Sequence, residues 1–301
     1  MLAPIWLPTA AAEATPDVHL IIPDPRWEMP ALLEPGRKPV GSVVIDWEHP
    51  LARGLIFFNM PGNGPHQYEN LAKGQTQLND NLASASDTVP HDSVSVSGNN
   101  LCGSGGHFDS TNGARSTTGF SSTNGFDITQ PHTLAAVAVK PPNDLVAGDL
   151  IVPVFLATDS RYRYSMLVLS GDDNPLQRET RFIRRFTGSN EVGVSIEEAD
   201  NGGLVAGDPI AMVGVLYSST DIQLFLSNGV SAQSTSSHSG GPYYLREISV
   251  GEGRRDGAAI SNYPATPNGS EVLLSCAWDR ALSESEAKSF NANPYQFLLP
   301  A

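Results

Sequence analysis

A chain of 301 residues can bury a substantial core, either as one large β domain with an extension or as two smaller domains. Its 18 Lys and Arg against 32 Asp and Glu give a formal charge of −14, so the whole-molecule field repels phosphate backbones and nucleic acid is not expected as a partner. No run approaches the ~20 apolar residues that a bilayer span needs, so membrane insertion is not expected. Two cysteines, Cys102 and Cys276, are too few for a disulfide framework and fit either two reduced thiols or one bridge.

The first 40 residues hold eight of the 23 prolines. Proline removes a backbone donor and disfavours helix at the residue before it, so this stretch reads as an extended arm with no helical or strand period. Its start, MLAPIWLPTAAAEA, has the apolar run and small residues of a secretory signal, but the first cation is Arg26 and Pro4 and Pro8 interrupt the run; cleavage is not expected. Apolar residues come in clumps between the prolines: Ile5, Trp6 and Leu7, then Ile21 and Ile22, then Trp27, Leu32 and Leu33. A merely flexible tail would not carry two tryptophans. The arm is therefore expected to bind something, either its own domain or a neighbouring subunit.

From Gly41 to the C-terminus the pattern is β. Short runs such as SVVIDW, GLIFFN, TLAAVAV, LIVPVFLA, YSMLVLS and EVLLSCAW alternate with turn formers such as PGNG, STNG, GDDN and SNG. In residues 210–233 the pair Asn228-Gly229 supplies the positive φ angles of a tight turn, so Ile222–Leu226 should pair antiparallel with the residues that follow. The run 210–217 is apolar on both faces, as a central strand under a second sheet would be. One helix is predicted, in AWDRALSESEAKSF (277–290): Ser283 caps it, Glu286 closes a capping box, and Asn291, Asn293 and Pro294 stop it. So short a helix must lean on the sheets, through Leu282, Ala287 and Phe290.

The order HFDSTNGARS (107–116), ITQPHTLAAVAVKPP (128–142), LYSSTDIQLFLSNGV (216–230), ISVGEGRRDG (248–257) and EVLLSCAWDRALSESEAKSFNANPYQF (271–297) resembles the laminin G-like branch of the concanavalin A-like lectin and glucanase superfamily. The W-x-R-A-L-S-x-x-E helix is its most specific element. GSVVIDWEHPLARGLIFF (41–58) resembles the opening of phage and prophage versions. The resemblance covers residues 41–301 and implies an all-β, two-sheet antiparallel jelly-roll sandwich with a short C-terminal helix; residues 1–40 have no counterpart in it. Fold does not dictate function, so the chemistry is sought in the residues themselves.

Glucanases of this superfamily carry a Glu-x-Asp-x-Glu strand with carboxylates about 5 Å apart. Here SIEEADNGG offers Glu198 and Asp200 but no third carboxylate, and reads as a strand running into a turn. Gly251, Gly253 and Gly257 echo a dinucleotide loop at the wrong spacing, with no helix behind them. No histidine pair has zinc-like spacing and no G-x-S-x-G elbow occurs. No enzyme and no cofactor are therefore expected. Calcium needs only loop oxygens, and the resemblance makes Asp109, Asp172, Asp173 and Asn174 its candidate ligands, although GDDN also reads as an ordinary turn. Asn268-Gly269-Ser270 reads as a turn in the same way.

One cationic cluster stands out. Arg161, Arg163, Arg178, Arg181, Arg184 and Arg185 hold a third of the positive charge, with Tyr162, Tyr164, Phe182 and Phe186 interleaved. It is either a patch for an acidic partner or a glycan, or a sheet face whose arginines pair with nearby carboxylates. The leading functional expectation is a non-enzymatic phage virion protein, a capsid decoration protein whose arm (Ile5, Trp6, Leu7, Ile21, Ile22, Trp27, Leu32, Leu33) contacts major capsid protein, tail subunits or other copies of itself. The alternative is a glycan-binding module of a tail, fibre or surface adhesin that binds polysaccharide. The expected location is the virion surface, or else a secreted or cell-surface position.

Overall fold

The computed structural model describes residues 38–39, 41–61, 70–72, 89–91, 94–100, 103–108, 115–119, 126–139, 150–158, 163–170, 179–186, 191–197, 208–237, 240–251, 254–255, 258–259 and 271–301. Within 89–119, and at 150, 151, 170, 247 and 251–259, the description is of the backbone. The proline-rich arm lies outside the described residues except for Lys38 and Pro39, both buried.

In chain order, β1 (Val43–Ile45) and β2 (Leu55–Asn59) flank a 3-10 turn at Pro50–Ala52. They are followed by β3 (Val89–His91), β4 (Val94–Asn100), β5 (Gly103–Phe108), β6 (Arg115–Gly119), β7 (His132–Val139), β8 (Leu150–Ala157), β9 (Tyr164–Ser170), β10 (Glu179–Arg185) and β11 (Glu191–Glu197). Then come β12 (Pro209–Ser218), β13 (Asp221–Leu226), β14 (Ser231–Ser234), β15 (Glu247–Gly251), β16 (Arg254–Arg255), β17 (Ala258–Ala259), β18 (Glu271–Trp278), the helix α1 (Glu284–Ala292) and β19 (Leu298–Pro300).

The chain is an all-β sandwich. A seven-stranded sheet ordered β11-β10-β9-β8-β15-β6-β3 faces an eight-stranded sheet ordered β14-β13-β12-β7-β18-β5-β4, in which β2 also pairs with β18. All of the ladders are antiparallel. Phe57, Leu134, Leu156, Leu167, Phe182, Met212 and Ile248 fill the space between the sheets. At the centre, a Cβ added to Gly214 of β12 would stand 2.4 Å from Cγ of Phe182 on β10, so only glycine leaves room for that ring.

Strand β12 shows how both of its faces come to be apolar. Ile210, Met212 and Leu216 point into the inter-sheet core, and Ala211, Val213 and Val215 point the other way. What covers the second face is not another sheet. It is a layer built from the 3-10 turn, α1 and the segment after it, through Leu51, Leu282, Ala287, Phe290, Phe297 and Leu298. The ribbon β1–β19 closes this layer, with Val43 opposite Pro300.

The local expectations are met. Ile222 pairs with Ser234 and Phe225 with Ser231, and Gly229 turns the hairpin at φ +87°. The Ser283 hydroxyl accepts from Glu286 N at 3.3 Å while Ser283 N donates to Glu286 Oε2 at 2.8 Å, completing the capping box. After β15 the chain makes the two-stranded ribbon β16–β17. Cys276 is a free thiol, and its burial raises its pKa well above the usual value, so it is inert packing and not a nucleophile.

Candidate functional site

Strand alternation divides the cationic cluster. On β10 and the residue just after it, Phe182, Arg184 and Phe186 point inward and Arg181, Ile183 and Arg185 outward, because successive side chains face opposite sides of a sheet. Arg184 is therefore no part of a surface patch: it is fully buried. Its guanidinium donates to the carbonyls of Ser219 (2.9 Å), Ser236 (3.1 Å) and Ser218 (3.4 Å), tying the β12–β13 turn and the chain after β14 to the opposite sheet. Burial pulls its pKa down to about 10, which leaves it charged at neutral pH. Outside, Arg181 pairs with Glu179 at 3.3 Å, and Arg185 lies 3.9 Å from Glu191. The Tyr164 hydroxyl donates to that same Glu191 at 2.5 Å. These contacts match the carboxylate-paired sheet face. Arg161 and Arg178 lie outside the described residues.

A second polar group crosses the core beside Arg184. His132 Nδ1 lies 2.9 Å from the Gln130 carbonyl, which can only accept, so Nδ1 carries the proton; Nε2 lies 2.9 Å from the Ser165 hydroxyl. The imidazole is held edge-on by Phe126 and Phe182. Geometrically this is a nucleophile and a base, but both residues are fully buried. The pair is a sealed bridge between β7 and β9.

The same end of the sandwich carries a more open constellation. Asp127 Oδ1 accepts from Thr129 N (3.0 Å), the Thr129 hydroxyl (2.8 Å) and Tyr243 N (2.9 Å), locking the loop before β7 to the segment before β15. Burial alone would raise the Asp127 pKa, but these bonds and one from Gln130 hold it below the usual carboxylate value. Backbone bonds from Ile128 N to Tyr243 O (2.9 Å) and from Leu245 N to Phe126 O (2.8 Å) reinforce the clasp. Gly240, at φ +120°, lets the chain pass close to the Tyr243 ring: a Cβ there would meet the hydroxyl at 2.5 Å. Arg163 lays its guanidinium carbon 4.1 Å from the centre of the Tyr243 ring, and Phe186 supports that ring from 5.9 Å. Arg163, Tyr243, Tyr244 and Asp127 are half-buried, and Gln130 is exposed. Among the described residues no carboxylate pairs with Arg163. The result is a fixed aromatic platform with a guanidinium stacked on it, at the surface.

Arg280 of the W-x-R-A-L-S-x-x-E motif is used differently. It grips Glu286 with both terminal nitrogens, at 3.0 and 2.8 Å, and also donates to the carbonyls of Arg53 (2.7 Å) and Pro50 (3.0 Å). Trp278 Nε1 donates to the Leu51 carbonyl at 2.6 Å. Burial would raise the Glu286 pKa, but Arg280 and the Ser283 backbone and hydroxyl pull it down to about 2. The motif is a clamp that fastens the C-terminal helix to the 3-10 turn.

Sequence reasoning found Arg163 but missed Asp127, Tyr243 and Tyr244. The calcium candidates Asp109, Asp172, Asp173 and Asn174, the pair Glu198 and Asp200, Cys102, and the arm residues Ile5, Trp6, Leu7, Ile21, Ile22, Trp27, Leu32 and Leu33 all lie outside the described residues. Among the described residues no three His, Cys, Asp or Glu side chains converge as metal ligands would.

No family model and no curated protein matches the sequence. Among solved structures, the chain is similar to the binding domain of botulinum neurotoxin serotype G, with a TM-score of 0.54 and 6% identity over 79% of this chain and 50% of that one. It is also similar to the serotype D binding domain, with a TM-score of 0.52 and 8% identity over 79% of this chain and 51% of that one. The chain thus spans about half the length of these structures. Identity this low shows the fold alone: an all-β sandwich of the kind these toxin binding domains also use.

Proposed function

We propose that this chain is a non-enzymatic carbohydrate-binding module, and that Arg163, Tyr243, Tyr244 and Gln130 form the rim that meets the sugar. The observation that carries this reading is the stack of Arg163 on Tyr243. The guanidinium covers one face of the Tyr243 ring, so what the stack offers a sugar is donors held in a fixed orientation, which meet hydroxyls or an acidic substituent. Tyrosine and arginine also dominate the energetics of binding surfaces. Asp127 is a positioning residue, its hydrogen bonds turned inward to hold the platform. The likeness to binding domains is in keeping with a binding role.

The proposed setting is the surface of a phage particle, supported by the resemblance of residues 41–58 to phage versions of the superfamily and of the chain to its laminin G-like branch. A jelly-roll topology would accompany that membership. Capsid decoration, the first expectation from the sequence, rests on this resemblance and on the two tryptophans of the arm. The rim favours a tail, fibre or surface adhesin over it.

A glycan array, run with and without calcium on the full chain and on Tyr243→Ala and Arg163→Ala, tests the reading. Binding to a defined sugar class, weakened tenfold or more by each variant, a loss of about 1.4 kcal/mol, is expected. No binding to any sugar, or binding that neither variant alters, would refute it.

A further inference from the structure

The rim holds one anion and one cation, and they are not equally available to a ligand. Asp127 is occupied: Oδ1 accepts from Thr129 N, the Thr129 hydroxyl and Tyr243 N, and Oδ2 faces Gln130 Nε2 at 3.4 Å. Arg163 is fixed at both ends and occupied at neither. Its carbonyl accepts from Thr158 N at 3.3 Å and from the Thr158 hydroxyl at 3.1 Å, which sets where the side chain starts. The Tyr243 ring, 4.1 Å from the guanidinium carbon, sets where it ends. Among the described residues its guanidinium nitrogens meet neither a carboxylate nor a carbonyl. Arg181, Arg185 and Arg280 differ in this respect, with carboxylate oxygens at 3.3, 3.9 and 2.8 Å. In a chain where 32 Asp and Glu outnumber 18 Lys and Arg, a carboxylate is the abundant partner, yet Arg163 is held in place without one.

Stacking decides which ligand groups such a cation selects. One face of the guanidinium lies on the ring, so its N–H bonds radiate edgewise in a plane whose orientation is already set. Two parallel N–H bonds match two oxygens of one carboxylate or sulfate, and a charge-assisted pair of this kind is about twice as strong as its neutral counterpart. A neutral sugar hydroxyl offers a single oxygen and uses half of the fork. The whole-molecule field works against an anion, since the formal charge is −14. That repulsion comes from distant charges and is screened over about 10 Å at 0.1 M salt, whereas the fork acts at hydrogen-bond distance. An acidic sugar is then recognised at contact and not gathered from afar.

We propose, resting on the carbohydrate-binding reading of this rim, that the sugar is an acidic one, and that its carboxylate or sulfate docks edge-on against the Arg163 guanidinium. Asp127 stays turned inward and leaves the anion unopposed.

The test measures affinity of the full chain for trisaccharides in matched pairs, galacturonate with galactose, glucuronate with glucose and mannuronate with mannose, together with sulfated galactose. In at least one set the acidic member should bind tenfold or more tighter than its neutral match; the carboxylate and sulfate arms tell which anion it is. Arg163→Gln should erase that preference, and Arg163→Lys, which keeps the charge without the fork, should restore only part of it. Equal affinity for acidic and neutral members would overturn the proposal while leaving the carbohydrate-binding reading intact, and absence of binding throughout would overturn both. A full preference retained in either variant would also overturn it. So would a loss of tenfold or more in acidic-sugar affinity on raising salt from about 0.05 to about 0.3 M, the mark of diffuse charge attraction.

Discussion

Arg280 and Arg163 stand at the same end of the sandwich and are spent in opposite ways. Arg280 places its nitrogens on Glu286 and on the carbonyls of residues 50 and 53, so its charge is consumed in closing the fold. Arg163 is stacked on a tyrosine at a half-buried surface, and among the described residues no carboxylate neutralises it. A guanidinium whose donors are all satisfied is a structural fastener. One that is oriented by a ring but unpaired is available to a ligand. The difference teaches that the most recognisable motif of this chain and its best candidate site are separate pieces of the molecule.

Substitutions at the clamp and at the rim should therefore separate stability from binding. The largest effect is expected for Trp278→Ala, which empties a fully buried site and loses the bond to Leu51 O: about 3–5 kcal/mol of unfolding free energy. Urea denaturation reads this loss, and sugar affinity measured well below the transition should be unchanged. Arg280→Ala should cost about 2 kcal/mol, the range for hydrogen bonds to a charged group, again with affinity unchanged. Arg280→Lys should recover only part of it, since an ammonium cannot grip a carboxylate with two parallel bonds. At the rim the order reverses: Arg163→Ala should change stability by under about 1 kcal/mol while sugar affinity falls tenfold. If it instead unfolds the protein while Arg280→Ala weakens sugar binding, the division fails.

The smallest effect is acid sensitivity of the clamp. The Glu286 pKa is depressed from 4.5 to about 2 in the folded state. Its stabilising contribution is thus full above the unfolded value and lost as pH falls from 4.5 through 2. Asp279 next to it has the opposite sign, since burial raises its pKa and its protonation favours the folded form. Asp127 at the rim is depressed and adds to the acid loss. Stability followed across this range should decline less steeply in Glu286→Gln than in the parent chain.

Much of this arrangement was legible before the structure. The Asn228-Gly229 turn, the Ser283 and Glu286 capping box and the apolar periods of β12 are local signals, and local signals survive into the fold. The arginine cluster was legible as a carboxylate-paired sheet face, but not which of its members point outward. Phe182 and Phe186 flank Arg184 at spacings of two, which marks all three as one inward face; that alternation could have removed Arg184 from the patch. The rim was not legible. Asp127 and Tyr243 are joined by a backbone-to-carboxylate bond across 116 positions, and neither has a neighbour in sequence that announces the other.

The pairing of Val43 with Pro300 has a consequence in time. A ribosome delivers β1 before every strand from β2 to β18 and its partner β19 only after them, so the β1 edge waits unpaired while all of them are made. Contacts of such separation form slowly and leave strand edges open to wrong partners meanwhile. The segment Leu298–Pro300 therefore acts as a latch on a vectorial process, and the β1 edge is at hazard until that segment has emerged.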